Sequence, residues 1–238
     1  MEFYKLESNG NNFIVTINKD INKFKIAKLC DYKIGIGADG LLNIDSNFNV
    51  SIYNNDGSKA KMCGNGLRCL VKLLNYLSNE DSFIFEVSGN KVIGYKENDY
   101  YAIATSSPMM MKYDDGYFVN LYNNHYIKFV NDIENYVFST NDIYFSKEHQ
   151  CNIHVIKVIS KNKIRIKTYE YGVGITSSCG SGAICSFYLS NMLDKASNKC
   201  EIIADGGISY CEVNNDKYIL KGDVSLIYKG ELLWIINS

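Results

Sequence analysis

Two heptapeptides carry the residue types with the most chemistry. Residues 63–69 read Cys-Gly-Asn-Gly-Leu-Arg-Cys, and residues 179–185 read Cys-Gly-Ser-Gly-Ala-Ile-Cys. Each runs into an apolar segment of helical period, so each begins with a thiol at the mouth of a helix. The helix dipole and the unpaired backbone N–H groups stabilise a thiolate in that position. The Gly-x-Gly keeps side chains away from those N–H groups, which can then receive an anion such as a carboxylate. One such site suggests a nucleophile, whereas two related by an approximate two-fold suggest paired acid and base. A carboxylate held between two helix N-termini presents its α-carbon to one thiol on each face. A thiolate then removes the α-proton on one side and a thiol delivers one on the other, a stereoinversion that needs no cofactor.

A Cys-x5-Cys pair cannot ligate one zinc ion from a helix, because residues six apart point about 240° from each other. The usual Cys-x2-4-Cys spacing is absent as well, so no metal is expected. Cys-x-x-Cys, the usual redox motif, is also missing. Free cysteine often serves as a small buried hydrophobe, and Cys69 and Cys185 read that way, inside the helices.

The two motifs lie 116 positions apart, and Gly57 and Gly172 precede them as Gly89 and Gly206 follow. That repetition favours two copies of one unit. After the first motif come Leu67, Leu70, Val71, Leu74 and Leu77, the i, i+3, i+4, i+7 stripe of a helix. After the second, Ala183, Ile184, Phe187, Leu189, Met192 and Leu193 are apolar on most sides, as in a buried helix. A short helix is expected over 23–30, and alternating segments predict strands through most of the remainder. Gly35-Ile36-Gly37 neither follows a clear strand nor opens a helix, so it reads as a turn rather than a nucleotide site. Pro108, the only proline, marks the expected boundary between an N-terminal half, 1–108, and a C-terminal half, 109–229. A last strand at Leu232–Ile236 has no counterpart in the first half, which leaves 230–238 free to cross back to it.

Composition limits the alternatives. The 238 residues can bury a good core, and 46% hydrophobic with 21% charged residues is ordinary for a globular protein. A net charge of −1 without a basic run points away from nucleic acid. No apolar run reaches membrane-spanning length, and the N-terminus lacks a signal-peptide core. Eight cysteines without such a signal fit a reducing, cytoplasmic setting.

The chain resembles the diaminopimelate epimerase family, within the cofactor-independent amino-acid racemases that include proline racemase. The resemblance rests on FYKLESNGNNF, LCDYKIGIGADGLL, YNNDGSKAKMCGNGLRC, NNHYIKFVND, CNIHVIKV, TYEYGVGITSSCGSGAIC and ADGGISY, and covers nearly the whole chain. It implies an α+β fold of two pseudo-symmetric domains, each of mostly antiparallel strands about a central helix, with a small-molecule substrate in the cleft between them. It implies that Cys63 and Cys179 are the acid/base pair. Asn11, Asn54, Asn123 and Asn152 match substrate-binding positions, and Glu170 matches a residue that meets the distal ammonium. Gly64, Asn65, Gly180 and Ser181 would offer N–H groups to the reacting carboxylate. His125 matches a histidine near the cleft, although a lone histidine is more often structural. A homodimer is left open.

Two departures bear on the substrate. The family's Glu-Arg-Gly-x-Gly-Glu-Thr is here Glu170-Tyr171-Gly172-Val173-Gly174-Ile175-Thr176, and its Gly-Asn-Pro-His is Tyr122-Asn123-Asn124-His125. The missing arginine would grip a second carboxylate in a charge-assisted pair, whereas Tyr171 offers a neutral hydrogen bond or an aromatic face. The sequence thus predicts an amino-acid epimerase or racemase. Its substrate is diaminopimelate or, better fitting Glu170 without the arginine, lysine, ornithine, arginine or histidine. A non-catalytic binding protein on the same fold, a thiol redox protein and a proline racemase-type enzyme are the rivals.

Overall fold

A computed structural model describes residues 1–233. Packing divides the chain into two compact units, Met1–Ile103 with the segment from Asp223 onward, and Ala104–Gly222. The first divide falls ahead of Pro108, and the return comes at Asp223 rather than near 230.

The first unit opens with a hairpin of β1 (Glu2–Ser8) and β2 (Asn11–Ile17). Asn9 and Gly10 join them at φ of 52° and 79°, the paired positive values that favour Asn-Gly in a two-residue turn. Helix α1 (Lys23–Cys30), capped by Asn22, carries the chain across to β3 (Gly40–Ile44), parallel to β2. Ile26, Leu29 and Cys30 of α1 pack with Ile14 and Leu41. β4 (Asn49–Asn54) runs back beside β3, and β5 (Lys59–Ala60) folds onto β4. Helix α2 (Gly64–Ser78) leads to β6 (Ser82–Val87), parallel to β4. The hairpin strand β7 (Asn90–Glu97) and then β8 (Tyr100–Thr105) follow. The first turns of α2 bury Leu67, Cys69, Leu70, Val71 and Leu73, whereas Leu77, expected on the stripe, is 46% exposed where the helix emerges.

The second unit repeats these steps. Edge strand β9 (Met109–Tyr113) precedes the hairpin of β10 (Gly116–Leu121) and β11 (Asn123–Phe129). Helix α3 (Thr140–His149) crosses to β12 (Asn152–Ser160), parallel to β11. β13 (Lys163–Glu170) runs back, and β14 (Gly174–Thr176) folds onto it. Helix α4 (Gly180–Met192) leads to β15 (Lys199–Ala204), parallel to β13, then to β16 (Gly207–Asn214) and β17 (Lys217–Gly222). Every residue of α4 from Gly180 to Ser190 is buried, the all-round burial that its apolar composition indicates.

The chain then returns to the first unit as β18 (Ser225–Glu231), antiparallel to β1, as β9 is to β10. The crossing strand therefore lies earlier than the sequence suggests. Of the expected strand Leu232–Ile236, residues 234–236 lie outside the described part, and Leu232 bonds with Met1 in both directions. The fold is α+β, built as two copies of mostly antiparallel strands about a central helix. Among the described residues no helix is long and apolar enough to cross a membrane.

Candidate active site

Cys63 and Cys179 are the N-cap residues of α2 and α4. Both have the extended backbone an N-cap requires, with φ, ψ of −146°, 103° and −124°, 110°. Each carbonyl starts its helix, accepting from Leu67 and Ala183 N–H at 2.9 Å. The thiols take the place usually held by Ser, Thr, Asn or Asp. Cys63 Sγ accepts from Gly66 N–H and Cys179 Sγ from Gly182 N–H, both at 3.4 Å. Cys179 Sγ also lies 3.5 Å from Ser181 Oγ. Cys63 is half-buried and Cys179 buried. A sulfur that accepts a backbone N–H at the positive end of a helix is favoured as the anion. The remaining cysteines differ. Burial pushes the thiols of Cys30, Cys151 and Cys200 up to about 12, and raises those of Cys69 and Cys185 well above the ordinary thiol value.

Packing crowds the second glycine of each motif, tightly at Gly182 and more loosely at Gly66. A Cβ on Gly66 would lie 3.1 Å from both methyls of Leu42 and 3.3 Å from Cys63 Sγ. On Gly182 it would lie 2.2 Å from Cε1 of His154. Each helix mouth thus rests on a side chain from the strand beneath, leucine in one unit and histidine in the other.

In the first unit the site residues meet through the start of α2. Asn65 donates its side-chain amide to Asn11 Oδ1 at 2.8 Å. Arg68, fully buried one turn on, donates at 2.8 Å to both Asn65 Oδ1 and Asn9 Oδ1. These bonds fix the Asn11 amide, whose oxygen is taken by Asn65. Asn65 therefore contributes an anchoring side chain beyond the backbone N–H expected of it. Asn54 ends β4 and donates to Ser58 Oγ at 2.9 Å, within its own turn.

In the second unit Asn123 opens β11 and Asn152 opens β12. Tyr122, where the resembled family has glycine, adopts φ 63°. Asn152 Oδ1 accepts from Tyr171 N–H at 2.9 Å, which secures the turn after β13. Glu170 ends β13 and accepts from Thr176 Oγ1 at 2.6 Å. Tyr171 is 46% exposed, with Gly172 and Gly174 open on either side of Val173. Gly180 and Ser181 form the first turn of α4 beside Cys179.

His125 is not a lone histidine. Its Nδ1 lies 2.8 Å from Nε2 of His154, and His154 Nδ1 lies 2.9 Å from Thr168 Oγ1. Both rings are fully buried. One nitrogen from each ring and Cys179 Sγ lie within 4.8 Å of one another, a set that could hold a metal ion. Two imidazoles spent on each other and on a threonine are better described as a hydrogen-bonded chain.

Sequence reasoning passed over Arg68, His154 and Thr168. The signal for Arg68 was a charge inside an apolar helical run, and for His154 an imidazole inside Ile153-His154-Val155-Ile156.

Comparison with known proteins gives one consistent result. The family model described as diaminopimelate epimerase matches residues 3–109 and 117–227. The chain is 31% identical over 256 residues to a diaminopimelate epimerase of Flavobacterium psychrophilum, covering 96% of this chain and 99% of that one. It is 28% identical over 298 residues to one of Methanocaldococcus jannaschii, covering 98% and 99%. Among solved structures, a phenazine biosynthesis protein of the PhzF family from Bacillus anthracis shares the fold, with a TM-score of 0.75, 11% identity and coverage of 98% and 99%.

Proposed function

Since the chain belongs to the diaminopimelate epimerase family and is an isomerase of the epimerase and racemase type, we propose that it inverts the α-carbon of an amino acid with Cys63 and Cys179 as acid and base. One thiolate takes the α-proton and the other thiol supplies a proton to the opposite face, so proton count and charge balance in each turnover. Charge that develops on the substrate carboxylate meets the N–H groups opening α2 and α4, at Gly64, Asn65, Gly180 and Ser181. The observation that carries this reading is the equivalence of the two thiols, each an N-cap accepting from the second glycine of its motif in units of one topology.

The substrate we propose is an amino acid whose side chain ends in a cation. Glu170 supplies the negative charge, and Tyr171 stands where an arginine would bind a second carboxylate. A neutral phenol compensates poorly for stripping water from a carboxylate. The second reading is diaminopimelate itself, which the named relatives support. Asn54, Asn123 and Asn152 would then hold its distal carboxylate through neutral hydrogen bonds. Incubating diaminopimelate, lysine, ornithine, arginine and histidine separately in D2O, with mass and chiral analysis, tests both readings. Deuterium at the α-carbon with loss of optical purity supports the reaction. Tight binding without exchange would leave a non-catalytic binding protein instead.

A further inference from the structure

Arg68 and its counterpart in the second unit differ in kind. Arg68 stands five residues after Cys63, as Ile184 stands five after Cys179, and both side chains are fully buried. The repeated topology accepts hydrocarbon at this place, so packing does not require a guanidinium there. A buried cation near the N-terminal end of a helix is also opposed by the helix dipole and by the loss of water. The two asparagines that it bonds are likewise particular to the first unit. Ser181 occupies the place of Asn65 in the second motif. Tyr122 alone joins β10 to β11, where Asn9 and Gly10 join β1 to β2.

The bonds of Arg68 can run in only one sense. A guanidinium donates and never accepts, so Nη2 must meet an oxygen on both Asn65 and Asn9. Asn65 is left with its amide nitrogen for Asn11, and Asn11 must turn its oxygen to receive it. The donors of Asn11, the hydrogens on its Nδ2, end the line. The other bond of Arg68 ties down Asn9, the turn residue two before Asn11, whose φ is 52°. Arg68 thus reaches Asn11 through the side chain of Asn65 and through the turn from which β2 begins. A group that meets Asn11 Nδ2 must accept a hydrogen, as a carboxylate does and an ammonium cannot.

We propose that Arg68 is a positioning residue which, through Asn65 and Asn9, sets Asn11 as a hydrogen donor to a substrate carboxylate. The inference rests on the reading that Asn11 binds the amino acid that the thiols invert. It is tested on whichever of diaminopimelate, lysine, ornithine, arginine and histidine the parent racemises fastest. Arg68→Ile should lower kcat/KM by about tenfold, chiefly as a rise in KM, the mark of a lost binding contact. Arg68→Lys, which can still donate to both oxygens, should recover most of that loss. In the Asn11→Ala background Arg68→Ile should cost nothing more, whereas a general weakening of the fold would cost the same in both. Asn11→Asp keeps the oxygen and loses the donor, so its KM should exceed that of Asn11→Ala. If Arg68→Ile does not fold, Asn65→Asp still accepts from Arg68 but cannot donate to Asn11. It should show the same loss of about tenfold, again absent in the Asn11→Ala background. In the resting protein, NMR should find the Asn65 side-chain amide slow to exchange its hydrogens, and faster in Arg68→Ile. The proposal is overturned by an unchanged kcat/KM in Arg68→Ile, by a loss that persists in full without the Asn11 amide, or by a KM in Asn11→Asp no higher than in Asn11→Ala. Fast exchange at Asn65 in the parent overturns it even if no amino acid is racemised. Failure of the two-thiol reading would appear separately, as racemisation that survives the loss of Cys63 or Cys179.

Discussion

Gly182 lies directly against the imidazole of His154, with no room for a single added carbon between them. The ring cannot step aside, because Thr168 and His125 hold it from both ends. At the equivalent contact Gly66 faces leucine methyls, which can rotate. Alanine in a helix gains about 1 kcal/mol over glycine, while overpacking costs about 1–3 kcal/mol. Gly182→Ala should therefore cost up to about 2 kcal/mol net and lower the melting temperature by up to about 8 °C, and Gly66→Ala by much less. Equal melting temperatures would show that the His154 ring yields.

Replacing either N-cap thiol tests the chemistry. Cys63→Ala and Cys179→Ala should each reduce racemisation by about 10²–10⁴-fold in both directions, because each direction needs one base and one acid. Circular dichroism should remain that of the parent. Turnover near normal in either variant would remove the two-thiol mechanism.

The buried imidazoles give stability a pH dependence of known sign. His125 has a folded value of about 3 against an ordinary 6.5, so below 6.5 the unfolded chain binds protons that the folded chain refuses. Their contribution is present above 6.5 and lost as pH falls towards 3. Denaturant midpoints should drop between about pH 7 and 5, above the range where carboxylates titrate. A triple variant, His125→Phe, His154→Leu and Thr168→Ile, should flatten that drop, and an equal slope in both proteins would contradict it.

Tyr171 is the position on which substrate choice turns. If a basic amino acid shows the highest kcat/KM, Tyr171→Arg should shift preference towards diaminopimelate by about tenfold or more, the worth of one charge-assisted pair. No shift would mean that residue 171 does not face the distal group.

The helix starts at Gly64 and Gly180 were legible because a glycine pair marks them and an apolar period follows. So were most strands, whose alternation is local. Helix α3 was not, because the positions it buries include Asp142 and Ser146, so it shows no apolar stripe. Its signal was the capping box, in which Ser139 and Asp142 bond reciprocally. The pairing of β18 with β1 joins residues over 200 positions apart, and no local pattern records it. The same holds for the site. Cys63 and Cys179 announce themselves by spacing, whereas Arg68, His154 and Thr168 acquire meaning only from the residues they reach.

The return of β18 also sets an order of assembly. Residues 104–222 are continuous, but the first unit needs strands from both ends of the chain. From Ser8 to Ser225 is 225 − 8 = 217 residues, which at about 5–20 residues per second takes a ribosome roughly 10–40 s. The second unit can fold in that interval, while β1 waits with one edge unpaired and open to the wrong partner. A chain truncated after Gly222 would carry a continuous second unit joined to a first unit whose β1 has no β18 beside it.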